Sequence, residues 1–206
     1  MAVGVYDRRW NSASGKFILQ SSMLGTGSLD HRVLKSGTIV GASTETGYYI
    51  VDATTGEIAT NVSANGWYFH LLHDKEKSLG DYLVYQGGVF FISFEPNASD
   101  PCTNNGGLSY LYGVNYMSGT SNAESIFDLT GEGTINGDDL VGDAADNDRG
   151  GVLIQLRTGY AGGGLKIKQT DVGPMGYTPL PEKGILINPP GEDIYSGITS
   201  WREVLQ

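Results

Sequence analysis

One segment of the sequence carries oxygen ligands at a spacing that suits a calcium ion. Residues 128–139 read Asp-Leu-Thr-Gly-Glu-Gly-Thr-Ile-Asn-Gly-Asp-Asp. Calcium prefers six to eight oxygen ligands, which a twelve-residue EF-hand loop supplies from positions 1, 3, 5, 7, 9 and 12, with glycine at the sharp turn of position 6. Gly133 falls at that sixth position. The sequence therefore predicts a Ca²⁺ site whose ligands are Asp128, Thr130, Glu132, the Thr134 carbonyl, Asn136 and Asp139.

This predicted loop departs from the EF-hand pattern at three positions. Thr130 is neutral where Asp or Asn is usual, Glu132 is one carbon longer than Asp, and Asp139 replaces the bidentate Glu, as in dockerin-type loops. Without a cation, the three carboxylates would repel one another in the closed loop. A dockerin carries two such loops and only one is visible, so a dockerin is not predicted. The alternative interpretation is an acidic Asn/Gly-rich turn without metal.

Other candidate motifs indicate no enzyme. His70 and His73 form a His-x-x-His pair without the following Glu of metalloproteases. The acidic stretch 143–150 lacks loop spacing and is interpreted as a solvated loop. No Ser-His-Asp or Cys-His set can be identified from spacing, and the single cysteine, Cys102, cannot form an internal disulfide. We therefore expect no hydrolase, transferase or redox activity.

Composition indicates one all-β domain over residues 1–206. The chain has 23 acidic and 13 basic residues, so its formal net charge is −10, and it contains 31 glycines and 12 tyrosines. Binding to nucleic acid needs a basic face, which this composition does not predict. The most apolar stretch, 89–94, is too short to span a bilayer, and the N-terminus lacks the apolar region of a signal peptide.

Short strands recur along the chain. Runs rich in aromatic and β-branched residues alternate with Gly, Asn, Asp or Ser, which is typical of strands and turns. Gln86-Gly87-Gly88 predicts a hairpin turn, and two short helices are predicted, one after Asp138 and one over 200–205. The predicted strands are 38–40, 48–51, 67–71, 82–85, 89–94, 110–114, 152–156, 165–168 and 185–187.

A weak internal repeat favours a β-propeller over a β-sandwich. Residues 49–56 and 112–119 share the pattern Tyr-x-Val-[Asp/Asn]-x-x-[Ser/Thr]-Gly. In this pattern the Asp or Asn that ends a strand is expected to accept hydrogen bonds from turn amides, and the glycine is expected to take a positive φ. Propeller blades commonly carry such hairpins.

Several short motifs appear in a characteristic order along the chain: 66–68, 87–92, 95–102 and 106–112. The calcium loop follows these motifs, and Ser-Trp-Arg stands near the C-terminus at 200–202. In the order and spacing of these motifs, the chain resembles, from about Gly47 to Gln206, the C-terminal β-propeller of the PilY/PilC-type adhesins at type IV pilus tips.

The resemblance implies a non-enzymatic, calcium-binding component of the pilus tip or cell surface, acting in pilus assembly, adhesion or twitching motility. Its partners would be pilus proteins such as minor pilins, the remainder of the propeller, or a surface receptor or glycan, and its location would be extracellular. The family's Arg-Gly-Asp motif is not supported, because residues 148–150 read Asp-Arg-Gly.

Two other functional classes stay open. The first is a secreted propeller-type carbohydrate-binding module, which a calcium-dependent sugar-binding assay would distinguish. The second is a quinoprotein-like enzyme, since Asp52-Ala53-Thr54-Thr55-Gly56 resembles the start of that family's Trp-docking motif. However, Thr60 stands where the Trp is expected, and the vicinal cysteine pair is missing.

Blade arithmetic predicts an incomplete ring. Propellers have about 4–8 blades of about 40–45 residues each, and a repeat offset of 119 − 56 = 63 residues indicates larger blades here. The expected fold is thus a partial or C-terminal part of a β-propeller, with an inserted EF-hand-like calcium loop, completed by upstream sequence or a second chain.

Overall fold

A computed structural model of the chain confirms an all-β fold. It describes residues 2–5, 10–11, 16–17, 29–59, 66–78, 81–96, 107–142, 147–158, 165–170, 173–177 and 185–188. No helix in these ranges is long and apolar enough to cross a bilayer. The strands are β1 (Ala2–Val5), β2 (Trp10–Asn11), β3 (Lys16–Phe17), β4 (Asp30–Ile39), β5 (Ala42–Asp52), β6 (Gly66–Phe69), β7 (Lys77–Ser78), β8 (Leu83–Tyr85), β9 (Gly88–Pro96), β10 (Gly107–Asn115), β11 (Leu140–Gly142), β12 (Arg149–Gly150), β13 (Leu153–Thr158), β14 (Lys166–Thr170), β15 (Gly173–Tyr177) and β16 (Ile185–Leu186).

These strands form four sheets. The six-stranded sheet has the order β1-β6-β4-β11-β12, with β5 also paired to β4. The five-stranded sheet has the order β13-β10-β9-β7, with β8 also paired to β9. The remaining sheets are β14-β15-β16 and β2-β3. Pairing is antiparallel except between β4 and β6. None of the sheets closes among the described residues, so the propeller stays a prediction.

The five-stranded sheet is apolar on both faces and forms the middle layer. Alternate residues of a strand point to opposite faces. On one face, Phe91 and Tyr112 join a cluster that includes Ile50, Trp67 and Phe69 of the six-stranded sheet. On the other face, Phe90 and Ile92 of β9 and Leu111 of β10 form a second cluster. Their partners in this cluster lie just before the calcium loop and at the ends of β14 and β16: Ile126, Phe127, Leu165 and Ile187. Burial on both faces explains the continuous hydrophobic runs in β9 and β10.

The repeated motif folds into two turns of the same kind. The Asp52 carboxylate accepts hydrogen bonds from the Thr54 and Thr55 amides, each at 2.9 Å. The Asn115 side-chain oxygen likewise accepts from the amides of residues 117 and 118, at 2.9 and 3.2 Å. Gly56 and Gly119 follow with φ of 75° and 70°. The predicted hydrogen-bond chemistry of the repeat is therefore confirmed in both copies.

Two local predictions had different outcomes. The hairpin at Gln86-Gly87-Gly88 is confirmed, because Gln86 and Gly87 have φ of 41° and 81° and Tyr85 pairs with Gly88. The helix predicted after Asp138 is wrong: residues 137–139 form one 3-10 turn, and strand β11 begins at once. Val141 is fully buried there in a cluster with Tyr49 and Val51, so sheet packing overrides the local preference. The second helix, over 200–205, lies outside the described residues.

Candidate calcium loop

The loop 128–139 joins the segment after β10 to strand β11, and Asp128 organises its first half. Asp128 Oδ1 accepts hydrogen bonds from the amides of Gly131 at 2.7 Å and Glu132 at 3.2 Å. Asp128 Oδ2 accepts from the Gly133 amide at 2.8 Å. Gly133 has φ of 87°, so the backbone turns at the position that the EF-hand alignment assigned to the glycine.

Asp139 closes the other end of the loop from a fully buried position. Its Oδ1 accepts from the amides of Leu129 at 2.7 Å and Thr130 at 2.9 Å, and from the Thr130 hydroxyl at 3.1 Å. Its Oδ2 accepts from the Asn136 amide at 3.0 Å. An ionised carboxylate offers about four acceptor positions. Three of these donors share Oδ1 and one reaches Oδ2, so Asp139 ties the two halves of the loop together.

The remaining predicted ligands lie on the exposed side of the loop. Glu132 accepts hydrogen bonds from the Thr134 hydroxyl at 3.1 Å and from the Asn136 side-chain amide. Asn136 Oδ1 accepts from the Asp138 amide at 2.6 Å, which caps the 3-10 turn. Glu132, Thr134 and Asn136 are all exposed. This side of the loop is therefore open to an ion arriving from solvent.

The loop is anchored to the β4–β5 hairpin and to the core. The Gly41 amide donates to the Asp138 carbonyl at 2.7 Å, and the Val40 amide donates to the Leu140 carbonyl at 2.9 Å. A Cβ at Gly41 would lie 2.5 Å from the Asp138 Cβ, so a side chain there would push the loop away. Leu129 packs against two of the hydrophobic clusters. Leu129 therefore anchors the loop in the core.

Only part of the predicted ligand set is placed to bind a hard cation. Asp128, Glu132, Asn136 and the Thr134 carbonyl offer the oxygen atoms that calcium prefers. Asp128 and Asp139 each accept four hydrogen bonds, but Asp128 is half-buried at the edge of the loop, whereas Asp139 is fully buried and faces away from solvent. Within the described ranges, no three His, Cys, Asp or Glu side chains stand together as a metal-binding group. The calcium site stays a prediction.

A second polar cluster, which the sequence reasoning missed, surrounds the buried carboxylate of Glu76. Glu76 accepts hydrogen bonds from the Tyr112 hydroxyl at 2.8 Å, from the Ser93 hydroxyl, and from the His73 amide at 3.1 Å. Burial raises the pKa of Tyr112, and the Glu76 carboxylate raises it further. Burial, assisted by Glu95, raises the pKa of Tyr110 to about 12. These hydrogen bonds fasten the segment after β6 to strands β9 and β10.

The histidines lie in different environments. His73 Nε2 is 3.1 Å from the Tyr110 hydroxyl and 3.6 Å from Glu95 Oε2. His70 is exposed beside Tyr68 and His31.

In the acidic stretch, Asp148 is exposed as expected, but Arg149 is buried, bonds to Glu57 at 3.1 Å and lies 5.2 Å from the centre of the Tyr49 ring. The interpretation of 143–150 as a solvated loop is wrong for Arg149, because these contacts draw its side chain inward.

Comparison with known proteins supports the fold. No family model matches the chain, and no curated protein matches it. The crystal structure of the Pseudomonas aeruginosa PilY1 C-terminal domain covers 91% of this chain with a TM-score of 0.64. This chain has a PilY1-like fold. The identity is 16%, so the likeness concerns the fold alone, and the chain spans 36% of that solved chain.

Proposed function

We propose that this chain is a non-enzymatic component of a type IV pilus tip or of the cell surface. The observation that supports the proposal is the PilY1-like fold over 91% of the chain. The ordered motifs of the sequence, ending in the acidic loop, point in the same direction. Its role would lie in pilus assembly, adhesion or twitching motility, outside the cell.

The proposed partners follow from the open sheets. None of the described sheets closes, and the chain spans 36% of the solved PilY1 chain. A propeller needs further blades for closure. We therefore propose that the remainder of a propeller, or pilus proteins such as minor pilins, pairs with this fold, and that a surface receptor or glycan is the adhesion target.

Calcium is the proposed regulator, held by Asp128, Glu132, Asn136 and the Thr134 carbonyl. When bound, the ion would supply positive charge between two carboxylates and hold the loop against the β4–β5 hairpin. Ligand binding to the folded state stabilises it by RT ln(1 + [L]/Kd). Calorimetric titration of the wild type should show calcium binding that Asp128→Ala removes. The exposed neighbour Asp138, changed to Asn, is the matched control and should retain binding.

The pilus role is tested in the host cell. Deleting the segment that encodes the chain should lower the amount of surface pili in sheared fractions or abolish twitching. Re-expression of the wild type should restore both, and re-expression of Asp128→Ala should restore them only in part if calcium regulates the tip. Normal piliation, twitching and adhesion in the deletion strain would refute the proposal.

A further inference from the structure

Two histidines lie side by side on the outer face of the six-stranded sheet. His31 lies in β4, and His70 directly follows β6, the parallel neighbour of β4. His31 is in register with Tyr68, two residues before His70. Residues two apart in a strand share a face. The parallel pairing therefore brings together two histidines that are 39 residues apart (70 − 31) in the sequence.

Ring geometry places the two imidazoles within reach of one metal ion. Their ring centres are 6.2 Å apart, and their planes are nearly perpendicular at 88°. A metal about 2.1 Å from a ring nitrogen lies about 3.2 Å from the ring centre, so two imidazoles on one ion have centres about 6.4 Å apart when they lie on opposite sides of it and about 5.2 Å apart at the tetrahedral angle. His70 is exposed and, among the described residues, is not stacked on another ring, so rotation of its side chain can bring the two rings nearer the tetrahedral arrangement.

Tyr68 holds one of the two rings in place. The His31 ring stacks on the Tyr68 ring with centres 4.8 Å apart and planes 8° apart. His70 meets the same tyrosine edge-on at 6.3 Å. Stacking restricts the rotamers of His31, so less side-chain entropy is lost when a ligand binds.

We propose that His31 and His70 form a surface site for a borderline divalent transition metal, such as Zn²⁺, Ni²⁺ or Cu²⁺. Neutral imidazole suits these ions, whereas calcium takes oxygen ligands. Water, or a donor from a partner, would fill the remaining coordination positions. The net charge of −10 favours the approach of cations. The site is independent of the calcium loop, since the eight residue steps from His31 to Ile39, at the loop end of β4, span about 26 Å.

The proposal is tested by measuring the affinity of the tag-free full chain for Zn²⁺ and for Ni²⁺. These titrations are made in calcium-saturated buffer, and every variant also carries Cys102→Ser. His31→Ala and His70→Ala should each weaken binding about tenfold or more. His73→Ala is the matched control, because His73 is the third and last histidine and is bonded to Tyr110. It should leave the affinity unchanged. Asp128→Ala should abolish calcium binding while the transition-metal site persists.

A spectroscopic measurement identifies the ligands directly. With one equivalent of Cu²⁺, electron paramagnetic resonance should show coupling to two imidazole nitrogens in the wild type and to one in either single variant. His31→Gln and His70→Gln, which preserve side-chain size and polarity, guard against an effect of folding. Binding that survives the removal of both histidines, or that falls equally in His73→Ala, would overturn the proposal.

Discussion

The guanidinium of Arg32 donates a hydrogen bond through Nε to the backbone carbonyl of Ser118, at 2.7 Å and across 86 positions of sequence. The same guanidinium forms an ion pair with Asp52, the residue that organises the first repeat turn. Ser118 belongs to the second repeat turn. Because Arg32 is 2% exposed, this single buried cation joins the two copies of the repeat.

Removing Arg32 should destabilise the fold. In Arg32→Met, the Ser118 carbonyl and the Asp52 carboxylate lose their charged donor inside the structure. We expect the free energy of unfolding to fall by about 2–3 kcal/mol, measured by urea denaturation. Lys35→Met, at an exposed position of the same strand, is the control and should change stability by less than about 0.5 kcal/mol. Equal losses in both variants would contradict the bridging role.

The Asp52 turn should make stability fall at acid pH. Burial acts to raise the pKa of Asp52, but the Thr55 and Thr54 amides and the Arg32 guanidinium outweigh it and hold the pKa below its ordinary value. A lowered folded-state pKa gives stability that is present above the unfolded-state pKa and lost as pH falls through the folded-state value. Asp52→Asn should thus flatten the decline of unfolding free energy below about pH 4. An unchanged acid limb in the variant would contradict this assignment.

The two repeat glycines should differ sharply in their tolerance of alanine. Both have positive φ, which costs a residue with a Cβ about 1–2 kcal/mol. A Cβ at Gly56 would meet nothing within 4 Å, whereas one at Gly119 would lie 2.3 Å from the Trp67 ring. Gly119→Ala should therefore cost about 1–3 kcal/mol more than Gly56→Ala, as measured by thermal unfolding. Equal costs would show that Trp67 moves aside freely.

Asp139 should matter even in the absence of calcium. Because its buried carboxylate accepts four hydrogen bonds, Asp139→Asn would place an NH₂ group against N–H donors. In buffer containing a calcium chelator, we expect a loss of about 2–3 kcal/mol in unfolding free energy. The exposed Asp138→Asn should be nearly neutral there. If the loss appeared only with calcium present, Asp139 would act through the ion instead.

Sequence by itself determined the features that depend on neighbours along the chain. The strand-ending Asp52 and Asn115 turns, the hairpin at Gln86 and the sharp bend at Gly133 follow from side-chain acceptors and backbone φ within a few residues. The all-β class followed from the same local preferences. The buried runs of β9 and β10 could also be predicted, because strands covered on both faces are apolar over most of their length rather than at alternate positions.

Only the tertiary structure decided what distant residues do to one another. Leu140–Gly142 is a strand because Val141 is buried against Tyr49 and Val51, although the local sequence favoured a helix. Asp139 faces amides at the far end of its loop, Arg32 reaches a turn 86 residues away, and the parallel pairing of β4 with β6 brings His31 beside His70. Long-range strand pairing sets these contacts, and the residue pattern of one strand does not say which distant strand or turn lies beside it.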